Sequence, residues 1–125
     1  MGGSDSEKGS KFFRCFYDHF FAMSEDIRDK FANTDMENQI GVLQKSMYHM
    51  ISFHILKTEN DFLDRIAETH NHSHYDIKLE YYDHWLESLI ATVKETDPLF
   101  DSEVELAWRI TFSSGILYMK MHYDP

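Results

Sequence analysis

The chain of 125 residues carries 22 acidic and 12 basic side chains, which gives a formal net charge of −10. It has no cluster of Lys and Arg of the kind that nucleic acids and anionic membrane surfaces require, which argues against both as partners. Its 42% hydrophobic and 15% aromatic residues are typical of one packed globular domain. The single cysteine permits no internal disulfide, and no apolar run is long enough for a signal core or a membrane span. We therefore expect a cytoplasmic protein.

The chain is predicted to be mostly helical, because proline and glycine are rare and apolar residues recur at helical spacing. The polar segment 1–10, "MGGSDSEKGS", reads as a flexible leader, and residues 11–125 as a single domain. "KFFRCFYDHFFAM" predicts a first helix over 11–23 that is apolar around most of its circumference. Ser24 is predicted to cap a short helix that follows.

Two capping boxes mark the starts of two long helices. Thr34 with Glu37 opens one that runs to about Leu56, and Ser102 with Glu105 opens the last helix of the chain. The predicted apolar faces consist of Met36, Ile40, Leu43, Met47, Met50 and Ile51 in the first, and of Val104, Trp108, Phe112, Ile116 and Met119 in the second.

Two further helices are predicted between these. The earlier one places Phe62, Ile66 and His70 on one apolar stripe. The later one ends before Pro98, because the residue that precedes a proline resists helical geometry. Its apolar residues are Tyr82, Trp85, Leu86, Leu89 and Val93. The predicted fold class is all-α.

Three histidines, His70, His72 and His74, stand close together in "HNHSH". His70 closes an apolar stripe, so its ring is expected to face inward, where a histidine is more often a hydrogen-bonded core residue than a ligand. His72 and His74 read as solvated residues of a loop that ends the helix. His70 and His74 also resemble one element of a di-iron site of the hemerythrin kind, whose other histidines and carboxylates find no match here.

Several short segments follow one another in a particular order: "FYDHFFAMSEDIRDKF", "QIGVLQKSM", "RIAETH", "DIKLEYYDHW" and "ELAW". They carry, in this order, Tyr17, Phe31, Gln39, Leu43, His70, Ile77, Tyr82 and Trp108. This ordered set resembles the bacterial single-domain haem globins and the globin module of flavohaemoglobins. The resemblance extends from about Phe12 to Met121.

The resemblance implies a globin fold of the three-over-three type with a short or missing first helix. It implies haem b, iron protoporphyrin IX, as the cofactor and His70 as the iron ligand, with Tyr17 and Gln39 as hydrogen-bond donors to dioxygen on the opposite, distal face. The other cofactor contacts that it implies are Phe31, Leu43, Ile66, Ile77 and Tyr82. The implied function is reversible binding of dioxygen and of other diatomic gases, namely nitric oxide and carbon monoxide.

The sequence leaves several alternatives open. A haem-bound histidine needs an acceptor for its second nitrogen, for which the Ile66 carbonyl and the Thr69 hydroxyl are candidates. His72 takes the ligand position if the loop after it is not lengthened, and the last helix reads "MKMHY" where flavohaemoglobins place a glutamate.

A haem-less globin-like module and a di-iron module are the competing classes. Conversion of nitric oxide to nitrate would need an outside reductase, since a flavin or nicotinamide domain does not fit in this chain. Storage, sensing and detoxification are not distinguished by the sequence, nor is the oligomeric state.

Overall fold

The structure, a computed structural model, describes residues 2–56, 65, 67–68, 70 and 77–121, with side chains from Lys11 onward. The regular elements of this described part are all helices, so the all-α prediction is confirmed. They are α1 (Gly2–Met23), α2 (Glu25–Lys30), α3 (Met36–Leu56), α4 (Leu79–Thr96) and α5 (Ser102–Met121). Between α3 and α4, Arg65, Ala67, Glu68 and His70 are also helical. The rest of the helix predicted there lies outside the described residues.

The first helix begins earlier than predicted. Its backbone is helical from Gly2, within the polar segment that the sequence analysis assigned to a leader. The division of the chain into a leader and a domain stays a prediction. From Phe12 onward the helix follows the expected pattern, with Phe13, Phe16 and Phe20 buried on the side that faces the core.

The N-termini of α2, α3 and α5 show which residues cap these helices. Ser24 caps α2 as predicted, since its Oγ accepts a hydrogen bond from the Ile27 amide at 3.4 Å. The two capping boxes are wrong by one position. Asp35 accepts from the amides of Glu37 and Asn38 at 3.1 and 3.3 Å. Asp101 accepts from the Val104 amide at 2.9 Å. An aspartate caps at least as well as Thr or Ser, and its charge also favours the positive end of the helix.

The predicted end of α4 is confirmed. The C-cap residue Asp97 has an extended backbone directly before Pro98, and its amide donates to the Val93 carbonyl at 2.8 Å. One position on the predicted face of α3 is wrong. Ile51 is 37% exposed, whereas Met50 beside it is buried. Neighbouring residues lie about 100° apart around a helix, so only one of the two faces the core.

The core lies where α1 packs on α4, α3 packs on α5, and α4 packs on α5. Phe16, Leu89 and Phe112 have exposures of 1%, 0% and 1%. The ring of Trp85 on α4 lies 5.6 Å from Phe16 on α1 and 5.8 Å from Phe112 on α5, measured between ring centroids. One aromatic side chain therefore joins three helices, in geometries that stabilise aromatic pairs beyond their buried area.

Surface ion pairs also link α4 with α5. Arg109 lies 2.5 Å from Glu87, and Lys120 lies 2.7 Å from Asp83. The carboxylates of both pairs are largely exposed to solvent. Pairs of this kind typically contribute about 0–1 kcal/mol each, so the aromatic core is the larger source of stability.

No helix in the described part of the chain combines the length and the apolar character that crossing a bilayer requires.

The contact between α3 and α5 depends on a small residue. Gly115 is buried on α5, and a Cβ built there would lie 2.9 Å from Met50 Cε and 3.3 Å from Met50 Cβ on α3. Gly41 on α3 is exposed, and its Cβ would meet no heavy atom within 4 Å. The two glycines therefore form a matched pair, one in a close approach and one in open space.

We expect Gly115→Leu to lower the free energy of unfolding by about 1–3 kcal/mol, because the added side chain overpacks the contact between α3 and α5. Gly41→Leu is the control and should leave stability unchanged or raise it by up to about 1 kcal/mol through helix propensity. Urea unfolding followed by circular dichroism measures both. Equal stability of the two variants would show that α3 and α5 do not approach closely at Gly115.

Candidate functional site

The predicted distal residues lie together where α1, α2 and α3 meet. Tyr17 is 5% exposed, and its ring centroid lies 5.8 Å from that of Phe31, which ends α2, in an edge-to-face arrangement. The side chain of Gln39 on α3 lies near enough to the Tyr17 hydroxyl to lower the pKa of the phenol. Leu43, one turn further along α3, is buried in the same core. Tyr17, Phe31 and Gln39 are therefore neighbours, and Leu43 belongs to the same core.

Burial controls the chemistry of Tyr17. It raises the pKa of the phenol to about 12, and the polar side chain of Gln39 offsets part of this rise by favouring the phenolate. The hydroxyl is consequently protonated throughout the physiological range and can donate a hydrogen bond.

The predicted proximal residues also lie together. His70 Nδ1 is 3.4 Å from the Tyr82 hydroxyl on α4, and the two ring centroids are 6.4 Å apart. Burial lowers the pKa of His70 to about 4, so the imidazole is neutral at pH 7. A neutral imidazole keeps one ring nitrogen with a free electron pair, which is the form that binds a metal.

Ile77 lies next to this pair. Its amide donates to the backbone carbonyl of His70 at 3.2 Å, and its half-buried side chain packs against the core. Ile66 and Thr69, with His72 and His74, lie outside the described residues. The predicted acceptors for the second nitrogen of His70 are therefore not observed. The contact with Tyr82 is observed instead, whereas the resemblance had implied Tyr82 only as a contact of the cofactor.

The two groups of side chains belong to one hydrophobic core, which contains Tyr17, Leu43 and Tyr82 and has Phe31 and Ile77 packed against it. Within the described residues, His70 belongs to no cluster of three or more metal-ligating side chains. A di-iron centre at His70 would require carboxylates and further histidines around it, so the described part of the chain offers no support for that alternative.

A third group of polar side chains was missed by the sequence analysis. Cys15 and His19 on α1 converge with Glu95 on α4. The separation of four residues between Cys15 and His19 is a visible signal, since such residues share a helix face. Their partner Glu95 is distant in sequence and becomes recognisable only when α1 packs on α4.

Comparison with known proteins gives one informative likeness. The chain is similar to a solved protein of Pseudomonas aeruginosa that is described as structurally highly homologous to a human haemoglobin, with 35% sequence identity and a TM-score of 0.86. The match covers 91% of this chain and 86% of that protein. The chain therefore belongs to the same haemoglobin-like family, and its fold is the globin fold of the three-over-three type. No protein-family model matches it, and no curated protein does.

The fold family implies a haem group, and the side chains described above suit one. A haem needs one firm axial nitrogen donor, whose orientation is usually set by a hydrogen bond to its second ring nitrogen. His70 is neutral, and its Nδ1 faces the Tyr82 hydroxyl. The apolar surface of a porphyrin also needs aromatic and aliphatic neighbours, which this core contains.

The raised pKa of Tyr17 predicts a loss of stability at alkaline pH. A phenol that titrates at about 12 in the folded state and near 10 when unfolded stabilises the fold below pH 10, and this contribution disappears as the pH rises to 12. We expect the free energy of unfolding of the wild type to fall by on the order of 2 kcal/mol more than that of Tyr17→Phe across this window. Tyr48, which is 67% exposed on α3, supplies the control variant Tyr48→Phe. Parallel pH profiles for the wild type and Tyr17→Phe would contradict the burial of this phenol.

Proposed function

We propose that this chain is a haem-binding globin that reversibly binds dioxygen and other diatomic gases, nitric oxide and carbon monoxide. The observation that carries the proposal is the contact between His70 Nδ1 and the Tyr82 hydroxyl within a core of the globin type. Haem b, when bound, would be held by His70 and would supply an iron that can bind a diatomic gas.

On the proximal side, His70 would hold the iron through Nε2. With Nδ1–H donating to the Tyr82 hydroxyl, the tautomer that leaves Nε2 unprotonated is favoured. The same contact limits rotation of the ring. The low pKa of His70 means that no proton competes for the ligating nitrogen at neutral pH. Ile77 and the predicted Ile66 would add apolar contacts to the porphyrin.

On the distal side, Tyr17 and Gln39 would donate hydrogen bonds to dioxygen. Two such bonds contribute about 1–3 kcal/mol when the donors are buried and well aligned. Because Gln39 already contacts the Tyr17 hydroxyl, the donors are held near each other before a gas arrives. Phe31 and Leu43 would pack on the porphyrin and restrict access to it.

The remaining parts of the proposal concern its biological setting. Similarity to the globin module of flavohaemoglobins is supported by Tyr82 beside His70 and by Tyr17 beside Gln39. Conversion of nitric oxide to nitrate would require an outside reductase as a partner. The predicted cytoplasmic location stays a prediction.

The role of His70 predicts how tightly hemin is held. We expect His70→Gly to release hemin to a haem-scavenging protein at least about tenfold faster than the wild type, because the axial bond is lost. Added imidazole should restore the wild-type absorption spectrum by occupying the space that the side chain leaves.

Two variants serve as controls for this measurement. His84→Ala removes a histidine of α4 whose ring stacks on Tyr81, and it should release hemin at the wild-type rate. His72→Ala tests the alternative ligand. Rapid release from His72→Ala and slow release from His70→Gly would transfer the ligand role to His72. Wild-type rates in both variants would contradict a histidine ligand in this segment.

The role of Tyr17 predicts slow oxygen release. We expect Tyr17→Phe to accelerate it by about fivefold or more, which corresponds to the loss of one hydrogen bond of about 1 kcal/mol. Carbon monoxide carries less negative charge than dioxygen when bound, so its release should change little. Stopped-flow or flash-photolysis kinetics measure both rates, and an unchanged oxygen rate would remove Tyr17 from this role.

A further inference from the structure

Cys15, His19 and Glu95 form a compact cluster of three different ligand types on the outer side of the contact between α1 and α4. The Cys15 thiol donates to Glu95 Oε2 at 2.9 Å, and His19 Nε2 lies 2.8 Å from the same oxygen. One ligand atom from each of the three residues lies within 4.8 Å of the other two. We call this set the Cys–His–Glu cluster.

The helices determine where the cluster lies. Cys15 and His19 are one turn apart on α1, so both side chains reach the same neighbour. Cys15 and Tyr17 are separated by about 200° around the helix axis, which puts the cluster on the side of α1 opposite the distal residues. Glu95 stands in the last turn of α4, where that helix packs against α1.

The chemistry of the three side chains suits a borderline divalent metal ion. Zinc binds thiolate, imidazole and carboxylate at about 2.0–2.3 Å in tetrahedral geometry, which places its ligand atoms roughly 3.4–3.7 Å apart. Glu95 Oε2 lies 2.8 Å from His19 Nε2 and 2.9 Å from Cys15 Sγ, and each distance would have to increase by less than 1 Å. Glu95 can make this adjustment, since its side chain is 60% exposed.

Access and local charge also favour a cation. Cys15 and His19 are half-buried and Glu95 is exposed, so an ion can enter from solvent. The cluster is thus anionic, and its sulfur and nitrogen ligands favour zinc over calcium and magnesium, which bind oxygen ligands.

We propose that the Cys–His–Glu cluster binds one divalent transition-metal ion of the zinc class, through Cys15 Sγ, His19 Nε2 and a carboxylate oxygen of Glu95, and leaves a fourth position for water. On binding, the thiol proton that now lies between Cys15 and Glu95 passes to solvent, and the sulfur coordinates as a thiolate. The site is independent of the gas-binding role proposed for His70. The alternative is a network of hydrogen bonds that serves only to pack α1 on α4.

Zinc-edge X-ray absorption of the full-length protein, loaded with one equivalent of Zn²⁺, tests the proposal directly. The expected spectrum contains one sulfur neighbour at about 2.3 Å together with nitrogen and oxygen neighbours at about 2.0–2.2 Å. Because the chain has one cysteine, sulfur at this distance points to Cys15, and Cys15→Ser should remove it. A zinc environment without sulfur in the wild type would show that the ion binds other histidines, and would overturn the proposal. Iron does not interfere at this edge, so the result does not depend on whether haem is bound.

Affinity measurements by competition with a chelator identify the other two ligands. Glu95→Gln and His19→Gln should each weaken Zn²⁺ binding by at least about tenfold. Glu103→Gln, which changes an exposed glutamate at the start of α5, is the matched control and should bind as the wild type does. Far-ultraviolet circular dichroism checks that each variant is folded. Equal affinities for Glu95→Gln and Glu103→Gln, or no binding by the folded wild type, would leave a packing network only and overturn the proposal.

Discussion

The packing of α1 against α4 is the contact on which the rest of the structure depends, because α1 uses three sides of its surface at once. Phe16 packs on Trp85 of α4, and Trp85 also packs on Phe112 of α5. A second side carries Tyr17 toward Phe31 and Gln39. A third side places Cys15 beside Glu95. These neighbours on several sides explain why α1 is apolar around most of its circumference. A shift of α1 along α4 would disturb the core and both candidate sites together.

Burial shifts the pKa values of Tyr17 and His70 in opposite directions, and both shifts favour the roles proposed for these residues in gas binding. It raises the pKa of Tyr17 to about 12, which preserves a hydrogen-bond donor, and it lowers the pKa of His70 to about 4, which preserves an electron pair for a metal. In each case the neutral form is stabilised because a buried charge is poorly solvated. The neighbours then orient the neutral groups, Gln39 on one side and Tyr82 on the other. The same core that stabilises the fold therefore prepares both residues for the proposed chemistry.

Periodicity in the sequence predicted the helices well, since α3, α4 and α5 end or pack where apolar spacing and Pro98 indicated. The caps of α3 and α5 were assigned to Thr34 and Ser102 instead of Asp35 and Asp101, because adjacent residues compete for a cap and only backbone geometry selects one. The apolar stripe predicted that His70 faces inward, but the functional roles of Tyr17 and His70 were assigned through resemblance, because a core tyrosine or histidine has the same spacing. The contacts of His70 with Tyr82 and of Cys15 with Glu95 join different helices. Spacing along the sequence cannot predict such pairs, because they form only when the helices pack against each other.

Whether this globin fold binds haem can be decided by an absorption spectrum. Hemin is titrated into the purified full-length protein, which is then reduced with dithionite and exposed to carbon monoxide. We expect saturation at one hemin per chain, with a sharp Soret band that shifts when carbon monoxide is added. If the folded protein develops no Soret band at any ratio of hemin to chain, the gas-binding account is wrong. The chain would then be a haem-less member of its family.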